Sequence, residues 1–180
     1  MTSPGATRVT VIIPCGKDKA AGPQPAGKLY TGAMFGHTMA AALAVAGWCA
    51  ERGVPARVLI LSARHGLVTL EEVLDPYDLT MREDGSVTPA VIAAQARDLG
   101  IAAGEDVLAF LPRAYLARLQ DGLRGGGVTA RSMYQGGGGI GYQRHVNKAV
   151  RARPGSCFQS RPVPGEQAGG ALAEPAEGAR

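Results

Sequence analysis

A cysteine and two lysines, Cys15, Lys17 and Lys19, follow a run of mostly β-branched residues that ends at Pro14. A thiolate is a nucleophile, and cations beside it stabilise the charged form. The run before Pro14 is apolar without alternation, which predicts a fully buried strand. Ligand sites in open α/β sheets lie where such strands end. The segment therefore indicates a reactive site, with Cys15 as the candidate nucleophile and the two lysines as contacts for an anionic substrate.

A second polar segment, residues 62–67, follows the next apolar run. Here Ser62 and Arg64 are candidate substrate contacts. Arg64 is a candidate for an anionic group in particular, because arginine binds such groups. His65 titrates near neutrality and could serve Cys15 as a base or a substrate as an acid. The alternative for His65 is a loop histidine that is hydrogen-bonded to the backbone.

The long segment from residue 62 to residue 86 contains the sequence Asp75-Pro76-Tyr77-Asp78. In one interpretation this segment closes over the site, with Tyr77 stacking on the substrate and Asp78 acting as acid or base. In the other it is an ordinary turn. Long irregular loops tend to be functional, which favours the first interpretation. Tyr30 is a further candidate for packing on a ligand ring, with burial in the core as its alternative.

Four consecutive glycines, Gly136, Gly137, Gly138 and Gly139, lie between a predicted strand and a predicted helix. Backbone N–H groups at such a turn, together with the helix dipole, suit a phosphate. The alternative is a flexible loop, and the pattern matches neither a dinucleotide fingerprint nor a P-loop. We predict phosphate binding by these glycines, no cofactor and no metal site.

The hydrophobic pattern alternates between strand-like and helix-like segments. The predicted strands are residues 8–13, 56–61, 106–111 and 128–134, and the predicted helices are residues 29–52, 88–99, 112–123 and 141–151. Strands separated by helices imply a parallel sheet covered on both faces. The prediction is a three-layer α/β/α sandwich, Rossmann-like, with a mainly parallel sheet of four or five strands. Four polar loops should then meet at one edge of the sheet.

Composition favours one soluble domain. The chain has 180 residues, of which 46% are hydrophobic, enough for a real core. No apolar run reaches the length of a membrane span, and the first residues lack the pattern of a signal peptide, so we expect a cytoplasmic protein. Pro, Gly, Ala and Glu dominate after residue 153, which predicts one domain over residues 1–153 and a disordered tail over residues 154–180. Cys49 reads as a small buried hydrophobe and Cys157 as part of the tail.

Charge is unevenly distributed along the chain. Residues 124–153 contain six arginines and lysines and no Asp or Glu. A solvated basic face is the ordinary explanation for such a run. Nevertheless, the lack of any counter-charge beside a glycine-rich turn favours a nucleic acid or a phosphate-bearing ligand as partner. A homodimer is also compatible with the sequence.

Several of these segments occur together, in the same order, in a known family. They are Pro14-Cys15-Gly16-Lys17-Asp18-Lys19, Pro25-Ala26 with Leu29-Tyr30-Thr31-Gly32, Ser62-Ala63-Arg64-His65-Gly66-Leu67 and Asp75-Pro76-Tyr77-Asp78. The chain resembles, over about residues 8–145, a family of small phage and actinobacterial proteins sometimes labelled peroxide-stress YaaA-like. It resembles more distantly the catalytic domain of archaeosine synthase, which modifies a deazaguanine base in transfer RNA. The resemblance implies a nucleobase or nucleotide as ligand.

Together these features predict an enzyme that acts on a nucleotide or on a base within nucleic acid. A base-modifying transferase and an N-glycosidase are both compatible with the residues. The alternative is a non-catalytic nucleic-acid-binding protein that uses residues 124–153.

Overall fold

The computed structural model describes residues 8–135 and 138–159. The strands are β1 (Val9–Pro14), β2 (Gln24–Pro25), β3 (Ala56–Ser62), β4 (Gly66–Thr69), β5 (Val73–Leu74), β6 (Asp106–Ala109) and β7 (Ala130–Ser132). The helices are α1 (Ala26–Leu29), α2 (Ala33–Ala50), α3 (Pro89–Asp98), α4 (Arg113–Leu123) and α5 (Ile140–Ala152), with 3-10 turns at Arg124–Gly126 and Pro154–Phe158. All four predicted strands and all four predicted helices are present, with ends shifted by one to a few residues.

The main sheet has five strands in the order β4-β3-β1-β6-β7. The strands β3, β1, β6 and β7 run parallel, and β4 is antiparallel to β3 at one edge. On one side α2 packs against α5, and α3 packs against α4 in a separate group. The sandwich of helices on both faces of a mainly parallel sheet confirms the predicted three-layer α/β fold.

The strand order reverses at β1. The chain leaves β1 through α2 and enters β3 on one side, whereas β6 lies on the other side of β1 and continues outward to β7. The loops after β1 and β6 therefore separate and leave a crevice at the carboxyl end of the sheet. This is the topological switch point at which open α/β sheets bind ligands.

Residues 62–86 are more regular than the sequence suggested. Instead of a loop into the next helix, β3 turns back into β4, and Gly66 at the turn has a φ of 76° that favours glycine. A second, two-stranded sheet pairs β2 with β5 antiparallel. The predicted start of α3 is confirmed. Thr88 is the N-cap of this helix, and its side chain accepts a hydrogen bond from the N–H of Val91.

The chain remains in regular structure past residue 153, where the sequence suggested the end of the domain. Cys157 and Phe158 are buried in the 3-10 turn Pro154–Phe158, and the Phe158 ring stacks on Trp48 of α2 at 5.1 Å between centroids. Gly155 fits closely here, since a Cβ on it would lie 3.0 Å from the Trp48 ring. The rest of the predicted tail, from residue 160 onward, lies outside the described residues.

Among the described residues, α2 is the one helix that is long and apolar enough to cross a membrane by length and composition. That observation is weak, because core helices pass the same test. In this fold one side of α2 packs on β1, β3 and α5, with Phe35, Ala41, Val45 and Cys49 buried. The expectation that Cys49 is a buried small hydrophobe is confirmed.

Candidate functional site

A cavity of about 370 Å³ opens at the switch point between the ends of β1 and β6. Four of the predicted site residues line it, namely Cys15, Lys17, Lys19 and Asp78. Apolar and aromatic side chains from α2, α4 and α5 form much of the remaining wall. A concave, largely apolar site with a few polar groups is the usual form of a small-molecule site.

Cys15 lies beside a tyrosine that the sequence had not singled out. The Cys15 Sγ is 3.3 Å from the hydroxyl of Tyr115, in the first turn of α4, and both residues line the cavity. Burial raises the pKa of Tyr115, and negative charge on Cys15 raises it further. The phenol therefore keeps its proton at neutral pH and can donate it in a hydrogen bond to a Cys15 thiolate.

Three predicted substrate contacts, Tyr30, Ser62 and Tyr77, form a buried hydroxyl cluster next to the cavity. The Tyr77 hydroxyl is 3.0 Å from that of Tyr30 and 2.8 Å from the Ser62 Oγ. Burial raises the pKa of Tyr77, and negative charge on Cys15 adds to the effect. All three side chains are at least nine-tenths buried and lie behind the cavity wall rather than in it.

The loop that carries Lys17 and Lys19, called the lysine loop below, is held against the segment before α2. Lys19 pairs with Tyr30 in an antiparallel bridge, and the Lys19 Nζ lies 4.4 Å from the centroid of the Tyr77 ring and donates to the carbonyl of Lys17. Gly16 allows the close approach, since a Cβ there would lie 3.1 Å from the Cβ of Tyr30. A cation on an aromatic face is stabilised by the ring, which holds this ammonium group at the cavity wall.

Arg64 and His65 lie in the turn between β3 and β4, away from the cavity wall. The Ser62 Oγ accepts from the backbone N–H groups of both residues, and Gln95 of α3 donates to the His65 carbonyl. Burial, followed by the nearby Arg64 guanidinium, lowers the pKa of His65. The His65 ring packs on the ring of Tyr77, and no hydrogen bond joins it to Cys15 among the described residues, so the geometry does not support His65 as the base for Cys15.

The structure describes two of the four predicted phosphate-binding glycines. Gly138 lines a second cavity of about 370 Å³, and Gly139 is the N-cap of α5. Gly136 and Gly137 lie outside the described residues. The two cavities adjoin, because Pro112, Tyr134 and Gln143 line both of them.

A buried polar chain fixes α5 against α2 next to both cavities. The Asn147 Nδ2 donates to the Thr38 Oγ1 at 2.9 Å, and the Asn147 Oδ1 accepts from the Tyr134 hydroxyl at 2.9 Å. Thr38 in turn donates to the carbonyl of Met34. Because Thr38 and Tyr134 line the cavity of Cys15, this chain sets the position of that wall.

The basic residues of the 124–153 stretch have different environments. Arg124 pairs with Asp121 at 2.7 Å, and two guanidinium nitrogens of Arg131 are buried without a hydrogen-bond partner among the described residues. Arg144, Lys148 and Arg151 lie exposed on α5. The exposed basic surface of this stretch is therefore centred on α5.

Tyr115, Thr38 and Asn147 were missed by reasoning from the sequence. A signal for Tyr115 existed, since it follows a predicted strand exit by only a few residues. Thr38 and Asn147 each lie inside a helix, and nothing in the local pattern marked either of them. Within residues 8–135 and 138–159, no group of three or more His, Cys, Asp or Glu side chains could hold a metal ion.

Comparison with known proteins identifies a family and no function. No curated protein and no solved structure matches this chain. Residues 10–148, most of the chain and nearly all of the sheet and cavity residues, match the family of unknown function DUF6884. The chain therefore belongs to this family of unknown function.

Proposed function

We propose that the protein is an enzyme that acts on a nucleotide or a nucleobase, with Cys15 as its nucleophile. The observation that carries the proposal is the cavity at the switch point, into which the thiol, two lysines and Asp78 all face. Its volume of about 370 Å³ lies at the lower end of small-molecule sites. The distant resemblance to the catalytic domain of archaeosine synthase supports a nucleobase as the ligand.

The cavity wall divides into parts suited to the parts of a nucleotide. Phe35, Leu79 and Ile140 offer apolar surface for a planar base. Lys17 and Lys19 supply positive charge for a phosphate, and Asp78 is the one acidic residue among the described residues that line the cavity. A base would therefore lie between the apolar walls, with its anionic group directed to the lysine loop.

The chemistry follows from the contact of Cys15 with Tyr115. The Tyr115 hydroxyl stabilises the thiolate, whose electron pair forms a bond to an electrophilic carbon of the base. The π-electron pair of the attacked double bond then moves to the neighbouring ring atom, which bonds to the electrophilic carbon of an alkyl donor as the donor's leaving group departs with the electron pair of its bond to that carbon. Asp78 then accepts the proton of that ring atom, and the C–H electron pair re-forms the ring double bond. The sulfur–carbon bond breaks with its electron pair returning to the Cys15 thiolate, which frees the modified base.

An N-glycosidase is the second candidate, and Asp78 favours it. In that reaction the carboxylate takes a proton from water, the water oxygen attacks the sugar carbon, and the electron pair of the carbon–nitrogen bond leaves with the base. This reaction needs no thiol.

Two variants distinguish the candidates in assays of base modification and base release with a panel of nucleotides and oligonucleotides. The transferase predicts that Cys15→Ser abolishes turnover, whereas the glycosidase predicts that it does not. Asp78→Asn should lower turnover by about 10²–10⁴-fold in either case. Asp84→Asn is the matched control, because Asp84 is an exposed carboxylate of the same segment outside the cavity wall. Unchanged turnover in both site variants would overturn the assignment of the site.

A further inference from the structure

We infer that the base reaches the Cys15 cavity as part of a single strand of nucleic acid that lies along α5. This inference rests on the proposed function and names its substrate class. Three features carry it: the charge on the exposed side of α5, the position where α5 begins, and the second cavity.

The exposed side of α5 is a cationic stripe formed by Arg144, Lys148 and Arg151. At 3.6 residues per turn, these positions fall within about 60° of one another around the helix. None of the three has an ion-pair partner within the described part of the chain, and residues 124–153 contain no acidic residue. An uncompensated stripe of this kind is complementary to a phosphate backbone.

The stripe begins at the cavity. Ile140 and Gln143, in the first turn of α5, line the cavity that contains Cys15. Arg151 lies eight residues beyond Gln143, about 12 Å along the helix axis at 1.5 Å per residue. A free nucleotide bound at the lysine loop would leave this stripe unused, whereas a strand with one base in the cavity would extend over it.

The second cavity provides room for the next nucleotide. It adjoins the first through Pro112, Tyr134 and Gln143, has the same volume of about 370 Å³, and carries the exposed side chain of Arg113 on its wall. Arg113 has no ion-pair partner among the described residues. Two adjoining cavities with a cation beside the second one fit a base and its neighbouring phosphate better than a single nucleotide.

The surface near the rim also suits unpaired bases. Ile140, at the start of α5, is 62% exposed and lies four residues, about one helical turn, before Arg144 on the same side of the helix. An exposed apolar side chain between the cavity and the cationic stripe offers surface against which an unpaired base can pack. A single strand also avoids the cost of extracting a base from a duplex.

Binding tests the inference without requiring turnover. Fluorescence anisotropy with labelled single-stranded RNA and DNA 12-mers should show an affinity that falls steeply with salt. Arg151→Glu should weaken binding by about tenfold and reduce the salt slope by about 0.7, the value for one phosphate contact on a single strand. Arg97→Glu is the matched control, since Arg97 is also an exposed arginine in the last turn of a helix, but on α3. Equal weakening by both variants would overturn the inference.

Protection of the thiol links binding to the cavity. Cys49 and Cys157 are buried, so iodoacetamide should report on Cys15 in the full chain. The inference predicts that the 12-mer slows alkylation of Cys15 at concentrations at which mononucleotides do not. Equal protection by mononucleotides overturns the inference and leaves the proposed function standing. Strand binding without protection of Cys15 also overturns the inference and indicates a nucleic-acid-binding protein. If no nucleotide and no strand binds or protects Cys15, the proposed function fails as well.

Discussion

Replacing Asn147 with leucine tests whether the buried polar chain holds α5 in place. The side chain is 1% exposed and makes two hydrogen bonds, to Thr38 and to Tyr134. Leucine has the same branching, with two methyl groups in place of the amide oxygen and nitrogen, so the substitution removes the polar contacts without opening a cavity. Thr38 keeps its bond to the Met34 carbonyl, but the Tyr134 hydroxyl loses the acceptor that it has in the structure.

The expected cost follows from these contacts. Each hydrogen bond contributes about 1 kcal/mol net, and a buried hydroxyl without a partner costs about 1–3 kcal/mol. Asn147→Leu should therefore lower the free energy of unfolding by about 2–4 kcal/mol. For a domain of this size that corresponds to a fall in Tm of about 5–15 °C.

Urea and thermal unfolding followed by circular dichroism measure this loss, and a double-mutant cycle assigns it. In a Tyr134→Phe background no hydroxyl is left unpaired, so Asn147→Leu should cost about 1–2 kcal/mol less than in the wild type. Lys148→Leu, at the exposed neighbouring position, is the control and should change stability by less than about 0.5 kcal/mol. An equal cost of Asn147→Leu in both backgrounds would refute the coupling of α5 to Tyr134, just after β7, through this side chain.

Three further predictions concern the site and its surroundings. Tyr115→Phe should slow alkylation of the Cys15 thiol at pH 7 by about tenfold, because a hydrogen bond to a charged group contributes about 1.5–3 kcal/mol. An unchanged rate would show that the 3.3 Å contact between Cys15 and Tyr115 does not stabilise the thiolate. Gly16→Ala should lower the free energy of unfolding by about 1–3 kcal/mol in urea, since its Cβ would lie 3.1 Å from the Cβ of Tyr30, whereas Gly36→Ala meets no atom within 4 Å and should be neutral or stabilising. Because folding lowers the pKa of His65 below its unfolded value of about 6.5, the unfolded state binds more protons below that pH, so stability should fall as the pH drops from 7.5 to 5.5. His65→Gln should reduce this dependence, and an identical pH profile in the variant would contradict the assignment.

Much of the fold could be predicted because the strand segments can be recognised from their own sequences. The buried runs that became β1 and β3 contain β-branched residues with no polar alternation, and Thr88-Pro89 marked the start of α3. Parallel strands then required their exits to share an edge, which placed Cys15 and Lys19 at a site. The local sequence pattern does not give the order of the strands in the sheet, because that order depends on the direction in which the chain crosses from each strand to the next. Without the neighbour relation of β1 and β6, Tyr115 could not be placed beside Cys15.

The errors have specific physical causes. The turn at Gly66 depends on the Ser62 hydroxyl and on a Gln95 side chain almost thirty residues away, and no local pattern shows that contact. Phe158 lies in a segment of polar and small residues. The average composition of residues 154–180 therefore predicted a disordered tail, although the Phe158 ring stacks on Trp48. In both cases, a tertiary contact determines a structure that the local sequence leaves undetermined.

The cavity draws its wall from almost the whole length of the chain, from Pro14 to Gln143. Contacts of such long sequence separation form late in folding, because the entropy of closing large loops must be overcome first. During synthesis, Cys15 therefore leaves the ribosome well before α5, which completes the wall around it. A ligand that bridges these distant segments binds the folded chain in preference to the unfolded one and so raises its stability by mass action. Ligand binding in this cavity and the final docking of α5 are in this way coupled equilibria.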